Sequence, residues 1–233
     1  MFAVLLAGGK GTRLQPFTIS LPKPLMPVGN QPILEILIHQ LKNADVHKVF
    51  ICVGYLESLI RSYFGDGSKF GIEIVYSSED KPLGTAGPMK LIQSQLTETF
   101  FFMNGDLFTD MDLSAMFKFH KQQGAPATIG LTKRTVEIDF GVIKTNDNNE
   151  FTDWKEKPTL EYLVSTGMYV FEPSILKHIP DDFFNVPDLI QKLHSENEKV
   201  NCYLHKGYWL DIGRIEDYQK ACNMVENNDK TTK

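Results

Sequence analysis

The segment Leu5-Leu6-Ala7-Gly8-Gly9-Lys10-Gly11-Thr12-Arg13-Leu14 constrains this chain more than any other. An apolar run from Phe2 to Leu6 predicts a short buried strand, and three glycines come next within four residues. Glycine lets backbone N–H groups approach a polyphosphate closely and adopt positive φ. Successive amides of this kind form an anion nest. Arg13 adds a planar, permanently charged fork for phosphate oxygens, and Lys10 adds a second charge. Glycines alone would also suit a tight turn with no ligand; Arg13 and a proline-flanked lysine downstream favour phosphate. A P-loop requires G-x-x-x-x-G-K-[ST], but here the lysine is followed by Gly11. A dinucleotide loop requires G-x-G-x-x-G, but counted from Gly9 the third glycine falls on Leu14.

That lysine lies in the stretch Leu21-Pro22-Lys23-Pro24-Leu25-Met26-Pro27-Val28. Prolines on both sides of Lys23 narrow its backbone and so the positions its ammonium can reach. A lysine clamped in this way ten residues beyond Arg13 is a better phosphate contact than a freely solvated one.

Around these motifs the first half alternates strand and helix signals. Strands are expected at Phe2–Leu6, Val49–Val53, Ile72–Tyr76 and Phe100–Met103, and helices at 31–43, 56–64 and Gly84–Leu96. That alternation implies βαβ units and a mostly parallel sheet, an α/β fold. After Gly124 strands dominate, at Ala127–Thr132, Gly141–Thr145, Phe151–Trp154 and Tyr162–Phe171, with helices returning at 186–195 and 214–226. No linker divides the chain. We expect one domain over 1–226, with halves of about 1–124 and about 125–226 and a frayed tail over 227–233.

A net charge of −5 argues against a nucleic-acid or anionic-membrane partner. No apolar run approaches the ~18 residues of a membrane span, and the first residues lack the basic flank of a signal peptide. Cys52, Cys202 and Cys222 fit neither a disulfide framework nor a zinc site. A cytoplasmic location is the expectation. The six histidines form no pair at zinc-ligand spacing, and no G-x-S-x-G elbow is present.

Ala7–Leu14 followed by Pro22–Val28 resembles the sugar-1-phosphate nucleotidylyltransferases, the nucleotide-sugar pyrophosphorylases, and the likeness extends from Val4 to about Val225. The resemblance implies a Rossmann-like, mostly parallel sheet flanked by helices, with a smaller sugar-binding lobe inserted, so that the half of about 1–124 binds the nucleotide and that of about 125–226 the sugar phosphate. It implies that Ala7, Gly8, Gly9, Gly11, Thr12 and Arg13 bind the nucleotide. Leu83-Gly84-Thr85-Ala86-Gly87 matches the base-cradling loop, through Gly84 and Thr85. Asp106 of Asn104-Gly105-Asp106 and Asp211 of Trp209-Leu210-Asp211-Ile212-Gly213 match the two aspartates that hold Mg²⁺. Glu156 and Lys157 of Glu-Lys-Pro, with Gly141, Thr166 and Gly167, match the sugar-phosphate pocket. The family usually shows Asn-x-Gly at the last of these, whereas this chain has Ser165-Thr166-Gly167.

By that resemblance the substrates are a nucleoside triphosphate and a sugar 1-phosphate, the cofactor is Mg²⁺, and Arg13, Lys23, Asp106 and Asp211 are the catalytic set. The motifs look most like guanylyltransferases acting on mannose-type, heptose or amino-sugar 1-phosphates. A UTP- or dTTP-dependent hexose-1-phosphate enzyme is the nearest alternative, and a non-catalytic nucleotide-sugar-binding regulator the alternative of another class. The chain shows no carboxy-terminal β-helix, so a monofunctional enzyme is expected. Dimers and tetramers are common in such families, which makes a homo-oligomer an expectation.

Overall fold

The computed structural model describes residues 1–231. In chain order, β1 (Phe2–Ala7) leads through the glycine loop to the two-residue strands β2 (Pro27–Val28) and β3 (Gln31–Pro32). Then come α1 (Ile33–Asn43), β4 (Lys48–Val53), α2 (Glu57–Phe64), β5 (Glu73–Ser78), α3 (Pro88–Leu91), β6 (Phe100–Asn104), β7 (Leu107–Thr109) and α4 (Leu113–Gln123). The second half runs β8 (Ala127–Glu137), β9 (Val142–Thr145), β10 (Phe151–Lys155), β11 (Thr159–Phe171), α5 (Val186–Ser195), β12 (Val200–His205), β13 (Trp209–Asp211) and α6 (Ile215–Thr231).

Seven of these strands form the central sheet in the order β12-β8-β11-β6-β1-β4-β5. β6, β1, β4 and β5 pair in parallel, and so do β8 and β12; β11 alone runs against both of its neighbours. The sheet is therefore mixed but mostly parallel, as the alternating first half predicts. β8 and β11 outrun the sheet as a two-stranded arm, Lys133–Glu137 against Thr159–Leu163, and β9 and β10 pair separately beyond it.

The strand period of two divides the core into two layers. Ala3, Leu5 and Ala7 of β1, with Phe101 and Met103 of β6, meet Leu34, Leu37, Ile38 and Leu41 of α1 and Ile60 and Phe64 of α2. Val4, Phe100 and Phe102 face the other way, against Met89 of α3 and Val186, Leu189 and Leu193 of α5. Phe101 is wholly buried, and truncating it to alanine would cost about 3–5 kcal/mol. A third, smaller cluster joins Leu14, Met26, Val28, Ile33, Phe108, Ile212 and Ala221. It binds the glycine-loop exit, the proline segment, β7, β13 and α6 into one block, and so fixes the residues that carry charge.

The expected helix over Gly84–Leu96 shrinks to the single turn of α3. Gly84 sits at φ 78°, and the amides of Ala86 and Gly87 donate to the Phe184 carbonyl, so the backbone is engaged elsewhere before Pro88 starts the turn. α4 carries end signals, an Asp112 cap that accepts from the Ala115 amide at 2.9 Å and Gly124 at φ 61° after its last turn. α6 continues past residue 226 to Thr231, while Thr232 and Lys233, the end of the expected tail, lie outside the described residues. Among the described residues no helix is long and apolar enough to cross a membrane.

Candidate active site

The glycine loop leaves β1 at the carboxyl edge of the parallel strands, where α/β sheets bind ligands. A Cβ on Gly54 would lie 3.0 Å from the Gly8 carbonyl oxygen, so the turns after β1 and β4 pack backbone against backbone. Gly11 takes φ 61°, a left-handed conformation. Its carbonyl accepts from the Thr18 hydroxyl at 2.8 Å and from the Leu14 amide at 2.9 Å. These bonds close the loop into a short 3₁₀ turn, Thr12–Leu14, that carries Arg13.

Two carboxylates meet opposite this loop. Asp106 follows β6, in a turn where the Gly105 amide donates to the Leu6 carbonyl at 2.8 Å. Asp211 ends β13, which pairs with β7 just beyond Asp106. The Ile212 amide donates to the Asp106 carbonyl at 3.0 Å and ties the two turns together. Lys23 enters from its own 3₁₀ turn between Pro22 and Met26. Its ammonium forms a short ion pair with Asp106 Oδ2 and lies 3.7 Å from Asp211 Oδ1. The structure thus sets Lys23 against the two carboxylates.

The pair is electrostatically loaded. Burial and then the neighbouring Asp106 push the Asp211 carboxyl above its ordinary range, and Lys23 and Arg13 only partly offset this. Asp106 Oδ1 and Asp211 Oδ1 are both buried with no hydrogen-bond partner among the described residues. Two adjacent carboxylates, each with an unsatisfied oxygen, fit the demand of Mg²⁺ for one or two protein carboxylates completed by phosphate oxygens and water. Among the described residues no group of three or more His, Cys, Asp or Glu forms a metal cage. That too is unlike a structural zinc or calcium centre.

A cavity of about 530 Å³ opens beside the pair, lined by Gly8, Gly9, Lys10 and Arg13 of the loop, by Gly84 and Thr85, and by Asp106 and Asp211. The Thr85 loop is braced from α5: the Thr85 amide donates to Asn185 Oδ1 at 3.2 Å, and its hydroxyl accepts from the Val186 amide at 2.9 Å. A second cavity of about 400 Å³ shares only Arg13 and Asp211 with the first. Trp209 lines it, with its indole N–H donating to the Thr166 carbonyl at 2.8 Å.

The other sequence-predicted residues fall elsewhere. Ala7, Gly11 and Thr12 shape the loop without lining either cavity. The Thr166 hydroxyl is buried and donates to the Gly130 carbonyl at 2.9 Å, so its contribution toward the cavity is backbone. Gly167, at φ 72°, leaves room for Asn104, whose amide nitrogen would stand 2.6 Å from a Cβ there. Ser165 hydrogen-bonds Tyr169 and the Gly167 amide, bracing this bulge locally. Gly141, Glu156 and Lys157 line neither cavity. Glu156 accepts from the Trp154 indole at 3.0 Å, and Lys157 sits at φ 41°, at the turn out of β10.

Sequence reasoning passed over Cys52, Ser77, Glu79, Asn104 and Phe183, which also line the larger cavity. Cys52, Ser77 and Asn104 sit at or near the carboxyl ends of β4, β5 and β6, and the rule that ligands bind there is the signal that finds them. The Cys52 thiol is no nucleophile: burial and the nearby Glu79 push it up to about 12.

The chain is 36% identical to the UTP–glucose-1-phosphate uridylyltransferase of Synechocystis sp., covering 97% of this chain and 63% of that protein. It is 35% identical to the mannose-1-phosphate guanylyltransferase catalytic subunit beta of Danio rerio, covering 94% and 62%. The mannose-1-phosphate guanylyltransferase of Mycobacterium tuberculosis is 32% identical, over 94% and 63%. The chain thus spans about three-fifths of the length of these curated relatives. The fold is shared with HddC from Yersinia pseudotuberculosis, at a TM-score of 0.75 and 22% identity over 96% of this chain and 99% of that one. Residues 2–228, which contain the glycine loop, Lys23 and both aspartates, match the family model described as nucleotidyl transferase, and the chain belongs to that family.

Proposed function

We propose that this chain transfers a nucleoside monophosphate from a nucleoside triphosphate to a sugar 1-phosphate, releasing pyrophosphate. The observation that carries the reading is the convergence of Lys23, Asp106 and Asp211 beside a cavity walled by the glycine loop. The attacking atom is an oxygen of the sugar phosphate, whose second pKa of about 6 leaves it largely ionised at neutral pH, so no general base is needed. It bonds to the α-phosphorus while the bond from that phosphorus to the β-phosphate oxygen breaks. Bringing one anion onto another is the obstacle, and alignment with charge neutralisation is the remedy.

In this reading the loop amides and Arg13 hold the departing β- and γ-phosphates. Lys23 offsets charge at the reacting centre and keeps Asp106 and Asp211 together. A Mg²⁺ ion held by Asp106 and Asp211 would supply neutralisation between the two substrates. Glu156 and Lys157, on the β9–β10 lobe, are assigned to the sugar and its phosphate, with Gly141, Thr166 and Gly167 shaping that side.

We favour GTP with a manno-configured, heptose or amino-sugar acceptor. Two guanylyltransferases stand among the relatives above, and Glu79 supports the base assignment. Its carboxylate lines the nucleotide cavity, with one oxygen accepting from the Leu83 amide at 2.9 Å. A carboxylate only accepts hydrogen bonds and can take two from the N1–H and the N2 amino group of guanine, where uracil or thymine offers a single N3–H. The uridylyltransferase relative at 36% identity sustains the UTP alternative.

The test is pyrophosphate release with Mg²⁺ across GTP, UTP, dTTP, CTP and ATP, each against a panel of sugar 1-phosphates. Release that requires both substrates is the expected result and names the base. Nucleotide binding without release across the whole panel would leave the regulator reading in its place.

A further inference from the structure

We infer that the smaller cavity contains a second anion subsite, formed by Arg134, Arg214 and Lys220, and that the acceptor sugar 1-phosphate carries a further anionic group which this subsite holds. This deepens the nucleotidyl-transfer reading, narrowing its acceptor to a sugar 1-phosphate that bears a second anion, and rests on it.

The cavity of about 400 Å³ touches the nucleotide cavity only through Arg13 and Asp211, so it lies against the reacting centre on a side the nucleotide does not occupy. Its size is that of a small-molecule site. Trp209 offers a ring fixed by the bond to Thr166, next to Gly167. That is a suitable wall for the apolar face of a sugar.

Apart from Trp209, Leu210 and Gly213, the lining is charged. Arg134 comes from β8 and Arg214 stands immediately before α6, elements far apart in the chain that converge here. Neither guanidinium forms an ion pair or hydrogen bond with another described residue. Lys220 is 3.9 Å from Asp217, an exposed and weak pairing. Over the whole wall Arg13, Arg134, Arg214 and Lys220 face Asp211, Glu216 and Asp217, leaving one positive charge in excess in a chain whose net charge is −5. Single exposed arginines are ordinarily just solvated. Two unpaired ones on one concave surface beside the substrate site match a carboxylate or phosphate, which a guanidinium fork grips bidentately. A neutral sugar offers only hydroxyls and gives no reason for this excess of positive charge.

The experiment is calorimetry in Mg²⁺ buffer at low salt, with glucose 1-phosphate, glucose 1,6-bisphosphate and glucuronic acid 1-phosphate, and with mannose 1-phosphate and its 1,6-bisphosphate alongside. At least one doubly anionic compound is expected to bind about 10-fold or more tightly than its singly phosphorylated parent. Whether the bisphosphates or the uronic acid gain shows whether the anion is a phosphate or a carboxylate. R134Q/R214Q should erase the advantage while changing glucose 1-phosphate binding less than about twofold, and the single variant R214E should reverse it. No advantage for any doubly anionic compound, or one that survives in both variants, overturns the inference. Pyrophosphate release is measured in parallel. Turnover with neutral sugar 1-phosphates but no anionic preference sinks the subsite alone; a preference without any turnover sinks the reaction instead.

Discussion

The amide of Ile212 donates a 3.0 Å hydrogen bond to the carbonyl of Asp106, fastening the β13 turn to the β6 turn at the residues that bear the two carboxylates. Asp106 and Asp211 are therefore held together by backbone as well as by Lys23. A substitution at either carboxylate should leave the scaffold intact.

Asp106→Asn is expected to keep the wild-type circular dichroism, with a lower melting temperature from the lost Lys23 pair, while pyrophosphate release falls by at least about 10²–10³-fold, the scale of removing one preorganised charge-stabilising group. Steady-state kinetics at saturating Mg²⁺ checks it. Unchanged turnover would remove Asp106 from the reaction.

Lys23→Met takes the cation away from two neighbouring carboxylates. Breaking such a largely buried pair costs about 3–5 kcal/mol. With Lys23 gone, the unneutralised carboxylates should bind divalent cations more avidly. Thermal melts of the variant are thus expected to start lower than wild type and to rise more steeply with added Mg²⁺. A variant that melts like wild type, with no added Mg²⁺ response, contradicts the pairing seen here.

Gly105 is held where a Cβ would stand 2.6 Å from the Leu6 carbonyl oxygen, a backbone atom that cannot turn aside. Gly105→Ala should therefore push β6 from β1 and lower stability by about 1–3 kcal/mol. It should also depress turnover, because Asp106 is the next residue. Urea unfolding together with an activity assay would show both effects, and stability equal to wild type would refute the contact.

Glu79→Gln replaces an acceptor-only carboxylate with an amide that can also donate. The ratio of kcat/KM for GTP to that for UTP is expected to fall by about 10-fold or more. An unchanged ratio would separate Glu79 from base selection.

Acid should weaken the fold through a cluster remote from the site. His120 is buried, with Nδ1 at 2.8 Å from the Thr128 hydroxyl, and Nε2 at 3.3 Å from Glu172. Burial holds its pKa below the ordinary 6.5, despite Glu172. For Glu172 burial acts upward, but hydrogen bonds from Lys121 and Thr99 outweigh it and keep the carboxyl below its ordinary 4.5. In both cases the unfolded chain binds protons that the folded one refuses. Stability should therefore fall as pH drops below 6.5 through His120, and again below 4.5 through Glu172. Urea midpoints between about pH 7.5 and pH 5 measure the first step, and His120→Gln should flatten it. A wild-type midpoint that does not move over that range would rule the step out.

Much of this was legible along the chain. The glycine loop follows from a strand running into Gly8, Gly9 and Gly11, and the α/β class from alternating periodicities, because both are local patterns. Gly84–Leu96 misled for a local reason too: its small residues and leucines carry a helical period, yet the amides of Ala86 and Gly87 are taken by Phe184 from a distant segment. α4 escaped because Phe117 and Phe119 blur its apolar stripe, although Asp112 and Gly124 mark its ends.

The sequence by itself determined the strands, the loop chemistry and the identity of the charged residues, since those depend on neighbours within a turn or two. Tertiary structure alone decided that Lys23 lies between Asp106 and Asp211, that Glu79 lines the larger cavity, and that Arg134 and Arg214 line the smaller one. Charges interact through space, falling off over a few ångströms whatever the separation along the chain, so their partners are known only once the sheet order and the small cluster around Ile212 bring the segments together.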